Sequence, residues 1–272
     1  ALFSADADYV VKGTFGTYTA MVDAGADARD VAASFNLLSG DTGVSATSLT
    51  KANLSVSAAG TFSFTLQGKS TTTSQITATV TSTTDLTAIK DAINAVSGST
   101  GITAALSSDK AGINITQSEG YDILIGDVST GSTNADLVVA AMDMDNVKDT
   151  TDVTVDTTAT ITTGAAATIA ATGHGFSVGD VVTYTAAGTT LAGLASGTSY
   201  IVGTVANANS FTLLTTTSGA VTYGNSGSAN GVTGAGGNAS DKFTRVGRSL
   251  DGDSTSGDST AVVGVVRLSS QN

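Results

Sequence analysis

The sequence predicts an α+β first domain, an antiparallel sheet carrying two short packed helices, followed by an inserted all-β sandwich or small barrel. Three observations lead there. Only two segments have helical periodicity, and they are copies of each other. The apolar residues around them mostly alternate with period two, as in half-buried antiparallel strands. The composition holds 32 Gly and no Pro, Cys or Trp, and all but one of its 23 acidic residues are Asp, the exception being Glu119. Aspartate prefers turns and helix caps to helix interiors. At 272 residues the chain is long enough to bury a sizeable core.

In the second periodic segment Leu86, Ile89, Ile93 and Val96 recur at spacings of three and four, which places them on one helical face. Thr83 or Thr84 is positioned to cap its start, Asp85 suits the dipole there, and Gly98 follows its end. In the first segment Ala28, Val31, Phe35 and Leu38 occupy the same four positions, each 58 residues earlier, and Gly40 follows as Gly98 does. Burying one large side chain of such a helix is worth roughly 1.5–3 kcal/mol, enough to hold a short helix on a sheet.

The duplication continues through SGDTGVSATSLTKANLSV (Ser39 to Val56) and SGSTGITAALSSDKAGINI (Ser97 to Ile115). Each reads as a glycine-rich turn, a strand, a turn and a strand. The repeats thus span about 26–56 and 84–115, with Gly40 and Gly98 expected in the left-handed cap and Gly43 and Gly101 expected to reverse the chain. Between them, Gly60 to Leu66 and Ile76 to Val80 alternate as strands. From about Met142 to Asp156 an acidic connecting stretch marks a boundary. Beyond it Ala159 to Thr163, Val181 to Thr185, Tyr200 to Val205, Phe211 to Thr215 and Ala220 to Tyr223 read as short strands, and Gly224 to Asn238 as a glycine-rich loop or linker. Residues 1–145 with 250–272 are expected to form the first domain and 146–249 the inserted one.

The stretch Thr81 to Val128, with its "aIN" helix, SGSTGITA, a strand and GYDILIGDV, resembles the helix–turn–strand motif in the central variable region of bacterial flagellins. The earlier copy is similar but departs at Asn36-Leu37-Leu38. Together they carry the resemblance over about residues 20–130. The long heptad-bearing terminal helices of a flagellin's filament core are missing here, and Ala261 to Asn272 looks like the strand returning toward that core. The resemblance therefore implies the outward-facing part only. A second stretch, Gly173 to Val205, is similar to a β module of bacterial adhesins and phage tail proteins.

Composition narrows the function. A net charge of −12 with only 11 Lys and Arg argues against nucleic acid or anionic membrane as partner, and no apolar run is long enough to span a bilayer. The first residues lack the basic start and apolar stretch of a secretory signal, and no initiator Met precedes them, so the chain reads as processed or a fragment. Without cysteine there is no disulfide scaffold, thiol nucleophile or zinc–thiolate site.

Candidate chemistry reduces to turns. Gly68-Lys69-Ser70 lacks the leading glycine of a phosphate loop, since Ser63 stands there. Gly234, Gly236 and Gly237 lack the flanking strand and helix of a dinucleotide fingerprint. His174, the one histidine, is expected in a turn or packing role. Asp251, Asp253 and Asp258 fall short of an EF-hand because Val262 stands where the bidentate Glu belongs; Asp143, Asp145, Asp149, Asp152 and Asp156 read as solvated turn residues. Asp85 and Asp91, six apart, converge poorly as a catalytic pair. No catalytic, cofactor or metal site is expected, and no enzyme.

The resemblance implies a structural role: a surface-exposed outer region decorating an extracellular flagellar filament, with other flagellin subunits as partners, lateral contacts between neighbours as a second role, and O-linked glycans on unassigned Ser and Thr. The alternative is a glycan- or surface-binding module of an adhesin or phage tail protein, for which a concave aromatic patch near Tyr184, Tyr200 and Tyr223 would be the mark.

Overall fold

A computed structural model describes residues 6–131, 135–148, 151–154, 168–188, 194–215, 241–250 and 259–270. The chain opens with an antiparallel hairpin, β1 (Ala7–Lys12) and β2 (Thr17–Val22), followed by helix α1 (Ala28–Asn36), a single helical turn α2 (Ser39–Thr42) and the long strand β3 (Val44–Val56). A second hairpin, β4 (Gly60–Gln67) and β5 (Ser74–Val80), leads into helix α3 (Thr87–Ala95), a single turn α4 (Ser97–Thr100), and the paired strands β6 (Ile102–Leu106) and β7 (Ile113–Gln117). Then come β8 (Ile123–Thr130), β9 (Leu137–Met142), β10 (Thr151–Thr154), β11 (Thr168–Ala170), β12 (Asp180–Thr185), β13 (Ser199–Asn207), β14 (Ser210–Thr215), β15 (Lys242–Leu250), β16 (Thr260–Val262) and β17 (Val265–Ser270).

Strands dominate, and every pairing is antiparallel. One sheet runs β11–β14–β13–β12–β15–β9–β3–β7–β6, with β10 added on β15 and β17 on β3; a second runs β16–β8–β4–β5. Both repeat copies therefore contribute to one sheet, since β3 pairs with β7 from Thr50↔Gln117 to Leu54↔Ile113. The sheet passes without interruption from the repeats into the second half through β9 and β15, where Val139 lies opposite Arg248.

Among the described residues three apolar cores follow. The largest joins α3 to the two sheets and includes Leu54, Phe62, Phe64, Leu66, Ile89 and Ile93. The core of the first copy is built mostly of smaller residues, Val11, Ala20, Val22, Val31, Ala32 and Val44 around Phe35. The third belongs to the second half and packs Val182, Tyr184, Tyr200, Phe211 and Phe243, with Phe211 and Phe243 edge to face at 5.4 Å, a favoured aromatic geometry.

Several details correct the expectations from sequence. The SGDTG and SGSTG segments are each one helical turn, and the left-handed residue is the glycine that ends it: Gly43 has φ 73° and Gly101 φ 69°. Gly40 and Gly98 lie inside those turns. The first copy has no strand–turn–strand: Val44 to Val56 is one 13-residue strand. In the second copy Asp109 to Gly112 breaks the strand, with Lys110 at φ 58° and Ser107 N–H bonded to the Gly112 carbonyl at 2.8 Å. Neither Thr83 nor Thr84 caps α3, whose N-cap is Leu86 with no side-chain cap hydrogen bond; Asp85, one residue earlier, accepts from the Thr87 N–H at 3.1 Å and hydroxyl at 2.6 Å. Thr151–Thr154, within the expected acidic connection, is a strand on β15, and the closing segment forms two strands, β16 and β17. The segments Ala159 to Thr163, Ala220 to Tyr223 and Gly224 to Asn238 lie outside the described residues.

Candidate functional site: a duplicated hairpin–helix–strand unit

The repeated unit is larger than its helix and turn. With the same 58-residue offset, Ala20 and Val22 of β2 correspond to Ala78 and Val80 of β5, and all four are buried. Each copy is thus a hairpin, a helix, a single turn and a strand. Apolar residues on one helical face set the packing: Ala28, Val31 and Phe35 in α1, and Leu86, Ile89 and Ile93 around α3, are buried at matching positions.

A set of polar contacts fixes the helix-to-strand corner identically in both copies. The Asn36 side chain accepts from the Ala46 N–H at 2.7 Å and donates to the Ala46 carbonyl at 2.9 Å. Asn94 does the same to Ala104, at 2.8 and 2.9 Å. A carboxamide thereby imitates one rung of an antiparallel ladder, satisfying two main-chain groups that would otherwise face outward from the strand. Beneath it, Thr42 and Thr100, both fully buried, donate to the carbonyls of Leu38 (2.7 Å) and Val96 (3.0 Å) and accept from the N–H groups of Val44 (3.1 Å) and Ile102 (3.2 Å). Ser39 and Ser97 each close the helix end on the carbonyl three residues back at 2.8 Å. The left-handed Gly43 and Gly101 then allow an abrupt turn from helix to strand.

The first copy also touches the segment that follows β7. The Arg29 N–H donates to the Gly120 carbonyl at 3.2 Å, the Arg29 guanidinium sits 4.5 Å from the Tyr121 ring centroid, and the Ser48 hydroxyl donates to the Glu119 carbonyl at 3.2 Å. The copies differ at their hairpins. In the second copy β8 pairs along β4, whereas β1 of the first pairs with β2, and Val10, Tyr18 and Met21 stay exposed there. Where β7 pairs with β6 in the second copy, β17 pairs with the start of β3 in the first, Val44 opposite Ser270.

Of the residues singled out in the sequence, the described ones make the following contacts. Lys69 lies in the turn between β4 and β5, its N–H on the Thr100 carbonyl at 2.8 Å and its Nζ on Glu119 at 2.8 Å. His174 is buried, with Nδ1 accepting from the Phe176 N–H and Nε2 donating to the Asn207 carbonyl, both at 3.0 Å, and its ring 5.1 Å from that of Phe211. Asp143 closes a turn through the N–H groups of Asp145 and Val147, each at 2.8 Å. Asp145 pairs with Arg267 at 2.7 Å, and its carboxyl lies below the ordinary aspartate range because Arg267 bonds to it. Asp85 is turned to Thr87 and Asp91 to Lys90, so the pair does not converge. Among the described residues no group of three or more His, Asp or Glu could hold a metal ion. The side chain of Asp152, and Asp149, Asp156, Asp251, Asp253, Asp258, Gly234, Gly236 and Gly237, lie outside what is described. Tyr184 and Tyr200 are core residues, the first donating to Asp241 at 2.8 Å and the second accepting from the Ala195 N–H at 2.9 Å. They present no aromatic surface, and Tyr223 is outside the described residues.

Residues 61–119 match the family model of the flagellin hook IN motif. The match begins one residue into β4 and ends just beyond β7, so it covers the second copy of the unit, hairpin included, together with β7. The flagellin family is structural and non-enzymatic, and its subunits form the extracellular flagellar filament. No curated protein matches the chain. No helix among the described residues is long and apolar enough to cross a membrane.

Proposed function

We propose that the chain is the surface-exposed outer region of a flagellin-type protein, decorating the flagellar filament and making lateral contacts with neighbouring subunits. In this reading residues 1–145 with 250–272 form the repeat-bearing domain and 146–249 an inserted all-β domain. The observation that carries it is that the matched motif covers one complete structural unit, present twice. The surface suits such a role. The outward face of the β4–β5 hairpin is a ladder of hydroxyls, Thr61 with Thr79 at 3.0 Å and Ser63 with Thr77 at 3.3 Å, and a net charge of −12 keeps crowded copies from aggregating. The polar face also offers acceptors for O-linked glycans.

Because the chain has no cysteine, Thr77→Cys on that face places one thiol in it. Thiol-reactive dye applied to cells carrying the variant in the full-length gene is expected to stain filaments along their length. Intact filaments that stay dark, while denatured subunits label, contradict surface exposure.

A further inference from the structure

The two hairpins of the repeat present their first strands differently. In the second copy β8 pairs along β4 from Phe62↔Thr130 to Gln67↔Leu124, and β16 pairs with β8 in turn. In the first copy four consecutive residues of β1, Tyr9 to Lys12, line a groove of about 410 Å³ together with Phe35 and Val44, and Leu268 to Ser270 of β17 form its other side. Val10 is 62% exposed there.

This edge has a definite phase. The Gly13 N–H donates to the Gly16 carbonyl at 2.9 Å, and hydrogen-bonded pairs alternate along an antiparallel ladder. The main-chain groups of Asp8, Val10 and Lys12 therefore point away from β2. Their side chains share one face, and all three residues are exposed. Asp8 and Lys12 stand two residues to either side of Val10. When β1 is laid antiparallel against β1 of a second copy with Val10 at the centre, the outward N–H and C=O groups of the two Val10 residues meet. Each Asp8 then falls opposite Lys12 of the other copy. A lysine on an edge strand ordinarily discourages pairing, but opposite charges set symmetrically about one residue favour this single register.

We infer that β1 is an interaction surface for a second copy of this chain, the two strands pairing edge to edge about a two-fold axis through Val10. The product is a four-stranded sheet, β2–β1–β1–β2. The second copy's hairpin supplies to β1 the two strands that β8 and β16 supply to β4, so the molecule's own duplication sets the kind of occupant. Contact is isologous and closes at the dimer. The inference goes beyond the filament role and does not depend on it, since it concerns the chain in solution.

Sedimentation equilibrium of the 272-residue chain at low ionic strength, up to a concentration of about 1 mM, tests it. A monomer–dimer equilibrium with a dissociation constant on the order of 0.1 mM is expected, as for a small transient interface. Asp8→Lys and Lys12→Asp each set like charges opposite one another and are expected to weaken the dimer at least roughly tenfold. An equimolar mixture of the two variants restores opposite charges at both positions and should dimerise as the parent does. A chain that is monomeric at every concentration, single variants that dimerise like the parent, or a mixture no better than either variant alone would each overturn the inference. So would slow hydrogen exchange at the Val10 amide of the monomer, which would mean that another strand of the same chain already holds this edge.

Discussion

Replacing Asn94 with alanine tests the corner that defines the repeated unit. The carboxamide makes two hydrogen bonds to Ala104, accepting at 2.8 Å and donating at 2.9 Å, in a partly buried setting. Among the described residues β6 closes one end of its sheet, with no further strand to take over those groups. A net value of about 1 kcal/mol per hydrogen bond, rising where a main-chain group is left dry, gives a loss of about 2–3 kcal/mol. In a chain of this size that corresponds to a drop of about 4–12 °C in Tm. Urea unfolding followed by far-UV circular dichroism reads the change as a lower midpoint at constant slope. Hydrogen exchange adds the local signature, faster exchange at the Ala104 amide. Asn94→Asp keeps the acceptor and loses the donor, so it should not recover parental stability. A loss below about 0.5 kcal/mol for Asn94→Ala, within the range of an ordinary surface change, would refute the reasoning.

The glycines of the turn should separate sharply. Gly101→Ala forces a side chain into the left-handed region at φ 69°, with the new Cβ 3.2 Å from Gln117 Nε2, and should cost about 1–2 kcal/mol; Gly98→Ala, with open space around it, should be neutral or stabilising by up to about 1 kcal/mol, both read by thermal denaturation. Ile93→Ala removes a fully buried side chain from the largest core and should cost about 2–5 kcal/mol, whereas Leu37→Ala, 83% exposed, should change the urea midpoint little. Asp85 is held below the ordinary value of 3.8 by hydrogen bonds from the Thr87 hydroxyl and N–H, and Asp109 by those from the Ser107 hydroxyl and the Ala111 N–H. A depressed folded-state pKa contributes stability above the ordinary value that is lost as pH falls through the folded one. Tm should therefore fall on acidification below about pH 4, and Asp85→Asn should flatten that part of the profile.

The helices were legible because Leu86, Ile89, Ile93 and Val96 repeat, 58 residues apart, as Ala28, Val31, Phe35 and Leu38. β4, β5 and β14 were legible because buried and outward residues alternate cleanly along them, and β12 and β13 as short apolar runs, although three consecutive residues are buried in each. The hairpin of the first copy was missed for the opposite reason: Val10, Tyr18 and Met21 are apolar yet exposed, which blurs the alternation. The continuous β3 escaped because pairing with β17, more than 200 residues away, replaces the local partner that β6 finds in β7. Asn36 and Asn94 read as ordinary polar residues at a helix end. Their role depends on a strand ten residues on lying across them, and the one available signal was that the Asn–Ala pair recurs at the same offset. The bulge at Val246 of β15, where Val181 lies opposite Gly247 and Val182 opposite Arg245, depends on the register of β12 against β15, a long-range property that local pattern does not carry.

The most direct test of the flagellin-type assignment is the intact mass and terminal sequencing of the native polypeptide that carries this chain. Long heptad-patterned helical segments flanking it on both sides are the expected result, because those helices build the filament that this region would decorate. A native polypeptide that ends near Ala1 and Asn272, or continues into further β modules, would contradict it.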